Sequence, residues 1–98
     1  MDIIKKREGN QLNVTLSGEL NTVTASEFDA AVKGDVKPGD TVVIDMANVI
    51  YITSAGLRVL LSLDAANGEG SPVILRGVRD EIREVLEATG FDTVLVIE

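Results

Sequence analysis

Val42-Val43-Ile44-Asp45-Met46-Ala47-Asn48-Val49-Ile50-Tyr51-Ile52-Thr53-Ser54-Ala55-Gly56-Leu57-Arg58-Val59-Leu60-Leu61 opens with a short apolar run and closes with an apolar segment too long to be a strand. Residues 42–46 read as a buried strand. From Leu57 to Ala66 the apolar residues run almost all the way round a helical wheel, with Arg58 and Ser62 as the main polar line. Such a helix is mostly buried, or presents apolar surface to a partner. Thr53-Ser54 stands at the junction. A hydroxyl residue directly before a helical run is the expected N-cap, because its oxygen accepts one of the N–H groups the first turn leaves unpaired.

The flanking sequence extends this strand-to-helix unit on both sides. Residues 3–7 and 12–17 bracket Glu8-Gly9-Asn10-Gln11, and Leu12, Val14 and Leu16 alternate with Asn13, Thr15 and Ser17, which predicts a hairpin with one buried face. Ser17-Gly18-Glu19-Leu20-Asn21 is expected to leave the sheet. Thr24-Ala25-Ser26-Glu27 has the spacing of a capping box, with Val23 placed to staple against Phe28, and Gly34 is expected to end that helix. Pro38-Gly39 marks a loop feeding the central strand, which is expected to end at Asp45. Downstream, Asn67-Gly68-Glu69-Gly70-Ser71 should stop the second helix and residues 72–76 should form another buried strand. In the third helix Ile82, Val85, Leu86 and Thr89 share one face, Gly90 terminates it, and residues 93–97 close the chain as a strand. Strands alternating with helices imply right-handed crossovers, hence one α/β domain over residues 1–98 with a mixed, mostly parallel sheet.

Composition supports that class and narrows the chemistry. The chain has 98 residues, 45% hydrophobic and 26% charged, enough for one core and ordinary for a folded domain. Aromatic residues make up only 3%, so the core must be built from Val, Ile, Leu and Ala, as suits a parallel sheet covered by helices. A net charge of −7 opposes nucleic acid and anionic membrane surfaces as partners. No apolar run approaches the roughly 20 residues needed to span a bilayer, and Met1-Asp2-Ile3-Ile4-Lys5-Lys6 has the wrong order for a secretory signal, so no membrane insertion and a cytoplasmic location are expected. Without cysteine or histidine, thiolate and imidazole ligands are absent, and with them the commonest general base.

Rival site chemistries fare poorly. An esterase-type nucleophile at Ser54 would need glycine where Ile52 stands, and no histidine exists to take its proton. Gly68-Glu69-Gly70-Ser71 lacks the Lys-Ser/Thr of a phosphate loop and precedes a strand where such a loop would precede a helix. Asp80-Glu81 and Glu84-Glu87 fall on an exposed helical face. No cofactor, catalytic residue or metal site is implied, and an enzyme is not expected.

Leu16-Ser17-Gly18-Glu19-Leu20-Asn21, Val43-Ile44-Asp45-Met46, Tyr51-Ile52-Thr53-Ser54-Ala55-Gly56-Leu57 and Ala88-Thr89-Gly90-Phe91 together resemble the STAS domain of bacterial anti-sigma factor antagonists. The resemblance covers nearly the whole chain. It implies a sheet with its helices mainly on one side, and a serine before the Gly-Leu pair that is phosphorylated by a partner both anti-sigma factor and serine kinase. By the same resemblance the unphosphorylated form binds that partner and frees a sigma factor for transcription, with a serine phosphatase to reverse the modification. Carried over, the acceptor is Ser54, and the partner-binding residues are Asn21, Thr22, Thr53, Ala55, Gly56, Leu57 and Arg58. Asn21 and Thr53 stand where the family often has aspartate. The alternative is a non-switching interaction module within a larger signalling or transport assembly.

Overall fold

In the computed structural model, which describes residues 1–67 and 73–98, five strands form one sheet and three α-helices cover it. The chain runs β1 (Asp2–Glu8), β2 (Gln11–Leu20), α1 (Thr22–Val32), β3 (Thr41–Ile52), α2 (Ser54–Asn67), β4 (Ile74–Arg76), α3 (Asp80–Ala88) and β5 (Val96–Ile97). In space the order is β1-β2-β3-β4-β5, the first pair antiparallel and the other three parallel. The expected mixed, mostly parallel α/β domain is thus observed. Because every parallel crossover steps in the same direction and crossovers are right-handed, the three helices fall on one face of the sheet.

That face holds the core. Leu12, Val14, Leu16 and Leu20 of β2 pack with Val42, Ile44, Met46, Val49 and Ile52 of β3 and Leu75 of β4. Phe28 and Val32 come from α1, Leu57, Leu60 and Leu63 from α2, Ile82 and Leu86 from α3. The alternate strand positions, among them Asn13, Thr15, Asp45 and Arg76, look away from the helices and line a shallow depression of about 440 Å³.

Several boundaries depart from the sequence reading, each for a local reason. β2 does not leave the sheet at Ser17 but continues to Leu20, and β3 does not end at Asp45 but continues to Ile52. The register explains why the alternation fails there. Thr15 faces Asp45 but Ser17 faces Asn48, and Gly18 faces Val49 but Glu19 faces Tyr51, so β3 carries two extra residues as bulges. Asp45 marks the first: its Oδ1 accepts the Ala47 N–H at 3.0 Å. Helix α1 starts three residues earlier than the capping-box reading, at Thr22. Asn21 Oδ1 accepts the Val23 and Thr24 N–H groups, both at 3.0 Å, while Thr24 Oγ1 accepts the Asn21 N–H at 2.8 Å, so the box is Asn21/Thr24 and Val23 is left exposed. The closing strand shrinks to two residues because a 3-10 turn occupies Phe91–Thr93. Gly90 ends α3 as expected, at φ +77°. The proposed stop at Gly68 to Ser71 and the strand start at Pro72 lie outside the described residues.

At the end of the sheet opposite Ser54, the hairpin is bolted to the loop after α1. Arg7 donates to both carboxylate oxygens of buried Asp40, at 3.2 and 2.9 Å, and Asp40 Oδ2 also accepts the Lys37 N–H at 2.8 Å. Lys5 reaches Asp35 Oδ2 and the Ala31 carbonyl, each at 2.6 Å. The basic run 5–7 is therefore structural in part, with Lys6 left to pair in solvent with Glu8 at 3.2 Å. The hydrogen bond from Arg7 chiefly, then that from Lys37, holds the Asp40 carboxyl below its ordinary range, and Lys5 does the same for Asp35.

Candidate functional site

Strands β2 and β3 end side by side, Leu20 opposite Ile52, and each runs straight into a helix. A backbone bond joins the two exits: the Thr53 N–H donates to the Leu20 carbonyl at 2.9 Å, and the Thr53 hydroxyl points at the same oxygen at 3.4 Å. The candidate residues of the two segments, Asn21-Thr22 and Thr53 to Arg58, are thereby brought onto one shelf at the carboxyl ends of the parallel strands, where open α/β sheets place their sites.

Ser54 does not have the expected capping role. The Thr53 carbonyl accepts the Leu57 N–H at 3.1 Å, the first bond of α2, so Thr53 is the cap position and Ser54 the first helical residue. Thr53 in turn spends its hydroxyl on Leu20. Ser54 is exposed at a helix start, where unpaired N–H groups and the positive dipole end favour an anion. Arg58, four residues on and also exposed, shares its face of the helix.

The other candidates divide by burial. Thr22 is exposed and Asn21, Thr53 and Ala55 are half-buried, whereas Gly56 and Leu57 are buried. Gly56 and Leu57 seat the helix, so Ser54 and Arg58 are the exposed ones among the expected contact residues of α2. A Cβ built on Gly56 would lie 2.7 Å from Leu20 Cγ and 3.0 Å from Ile52 Cγ1, so only glycine lets α2 sit directly on the paired strand ends. Asn21 gives up its side-chain oxygen to the α1 cap, a task asparagine performs as well as aspartate.

Three residues near the two strand exits, to which the sequence reading gave no site role, are also exposed. Val23, Ile50 and Tyr51 are 70%, 57% and 55% exposed, large values for apolar side chains in a domain this small. A signal existed for two of them. Val49-Ile50-Tyr51-Ile52 is an unbroken apolar run in a strand with one covered face, and alternation cannot bury all four. Among the described residues no group of three Asp or Glu is placed to hold a metal ion, and no helix is long and apolar enough to cross a membrane.

Comparison with known proteins gives consistent relatives. The family model described as "Mlab, STAS domain" matches residues 4–97. BtrV of Bordetella bronchiseptica, provisionally named an anti-sigma factor antagonist, is 32% identical over 96 residues, spanning 93% of this chain and 80% of that protein. The anti-sigma-B factor antagonist of Listeria monocytogenes is 28% identical over 97 residues, spanning 97% of this chain and 85% of its own. Among solved structures, an anti-sigma factor antagonist from Mycobacterium paratuberculosis superposes with a TM-score of 0.86 at 23% identity, over 98% of this chain and 83% of that one, a likeness of fold.

Proposed function

The chain belongs to the STAS domain family, and from that premise we propose that it is an anti-sigma factor antagonist switched by phosphorylation of Ser54. In this reading the unphosphorylated protein binds an anti-sigma factor through the shelf formed by Asn21, Thr22, Thr53 to Ala55 and Arg58, and so releases a sigma factor. It works in the cytoplasm by binding and not by catalysis. The names of the two sequence relatives favour this over a non-switching module.

The observation that carries the switch is the position of Ser54: exposed, first in its helix and relieved of capping by Thr53. Its hydroxyl is available without unfolding anything. The partner's kinase activity would direct Ser54 Oγ onto the γ-phosphorus of ATP, with ADP leaving and the hydroxyl proton passing to a base on the kinase. The product adds about −1.5 to −2 charge, which the helix start and Arg58 accommodate within the fold. Its cost falls on association, where the phosphate must be desolvated against a partner surface. A serine phosphatase would restore the binding form.

Incubation with purified anti-sigma factors of the source organism and ATP, followed by peptide mapping, tests this. One phosphate on Ser54, none on Ser54→Ala, and lost affinity in Ser54→Asp at unchanged stability are expected. Phosphate confined to Thr53 or Thr22, or Ser54→Asp binding as tightly as the parent, would refute it.

A further inference from the structure

Strand β3 outruns its neighbour. Its pairing with β4 ends at Asp45 opposite Arg76, yet β3 continues to Ile52. Just past that point β4 turns off at Gly77, which packs against Ala47, and the Arg79 Nε–H group donates to the Ala47 carbonyl at 3.1 Å. These contacts close the edge as far as Ala47. Among the described residues, 48–52 then hydrogen-bond on the β2 side alone, leaving on the other side a run of strand edge that ends two residues before Ser54.

The outer edges of the sheet are guarded by charge or by shortness, and this inner one only by the bulge at Ile50. β1 carries Lys5, Lys6 and Arg7, and β5 is two residues long, both known means of discouraging strand addition. Residues 46–57 contain no charge at all, in a chain where 26% of residues are charged, and no proline. Ile50 and Tyr51 stand exposed on that same run. Unpaired main-chain groups flanked by exposed apolar side chains are what an added strand requires.

We propose that residues 48–52 accept an extended, uncharged segment of the anti-sigma partner as an additional strand beside β3. The inference rests on the antagonist reading of the previous subsection and specifies how the partner is held. Five residues of strand span about 17 Å at roughly 3.3 Å each, room for a partner segment of similar length. A second copy of this chain is the poorer occupant, since two surfaces of net charge −7 repel one another. Phosphorylation at Ser54 then places a charge in an otherwise neutral binding run, which lets one modification act on the whole contact.

The test uses the full chain and purified anti-sigma factors of its source organism, screened singly by calorimetry. Amide exchange of residues 48–52 is then followed by NMR, free and bound. Binding should slow those amides by about tenfold or more and give backbone-to-backbone NOEs to the partner, and Ile50→Lys should weaken affinity about tenfold with an unchanged melting temperature. A complex that perturbs Ser54 and Arg58 without slowing 48–52, or slows them without such NOEs, overturns the added strand and leaves the antagonist reading standing. Failure of every anti-sigma factor to bind overturns both. Slowing that grows with protein concentration in the absence of partner assigns the edge to self-pairing and also overturns the proposal.

Discussion

Replacing Gly56 by alanine should cost stability in spite of alanine's better helix propensity. The new methyl would stand 2.7 Å from Leu20 Cγ and 3.0 Å from both Leu20 Cδ2 and Ile52 Cγ1. Carbon atoms in contact sit about 3.5–4.0 Å apart, so at least one neighbour must retreat by roughly 0.8 Å. Leu20 is fully buried, and Cγ is the branch point of its side chain rather than a free end, so relief requires moving β2 or lifting the first turn of α2. Overpacking of this kind costs about 1–3 kcal/mol. Against it stands a propensity gain of at most about 1 kcal/mol, smaller in a first turn where the N–H groups are not yet in the helix ladder. The net loss is then about 1–2 kcal/mol, and at roughly 4–8 °C per kcal/mol for a domain of this size the melting temperature falls visibly. Urea and thermal unfolding measure it, with Gly34→Ala as control, since a Cβ there meets nothing within 4 Å. Lifting α2 also shifts Ser54, so phosphorylation should slow. A Gly56→Ala protein as stable as the parent would refute the claim that α2 rests directly on Leu20 and Ile52.

Asn21→Ala should cost about 1 kcal/mol through loss of the α1 cap while Asn21→Asp stays within a few tenths, read by the midpoint of urea unfolding. Hydrogen bonds from Arg7 and Lys5 hold the carboxyls of Asp40 and Asp35 below the ordinary aspartate value of 3.8, so the unfolded chain binds protons first on acidification. Their contribution is whole above that value and is lost as pH falls through the lower folded values, which predicts a steep decline in the melting temperature below about pH 4 that is shallower in Asp40→Asn. Arg58→Glu, at an exposed position, should change stability by no more than about 0.5 kcal/mol and weaken anti-sigma binding severalfold with a larger effect on the association rate, as surface plasmon resonance would show.

What the sequence disclosed followed from regular pattern. The alternation in Leu12 to Leu16, the apolar run at residues 42–46 and the one-sided third helix were legible because each repeats at the period of its element. The breaks were not. Two bulges in β3 cancel the alternation after Asp45, so a continuous strand reads as a strand and a loop, and the edge at residues 48–52 stayed hidden with it. The cap of α1 was misplaced because Asn21 and Thr24 act through a hydroxyl at the third position, where the sequence rule looks for Glu or Gln. At the site, resemblance located Ser54. Its closeness to Asn21 depends on the bonds from Thr53 to Leu20, 33 positions away, which local sequence does not encode.

Strand order in space equals strand order along the chain, and this bears on how the protein is made. Each strand finds its sheet partner already synthesised, so the sheet can grow outward from the hairpin in one direction without waiting for a distant segment to return. Each parallel closure still spans an intervening helix, 30 positions from Gln11 to Thr41 and 31 from Val43 to Ile74, so sheet growth waits on one crossover at a time. The Ser54 shelf needs only β2, β3 and the two helices they enter, all within the first 67 residues. Fraying should therefore begin at the two-residue β5 and reach Ser54 last.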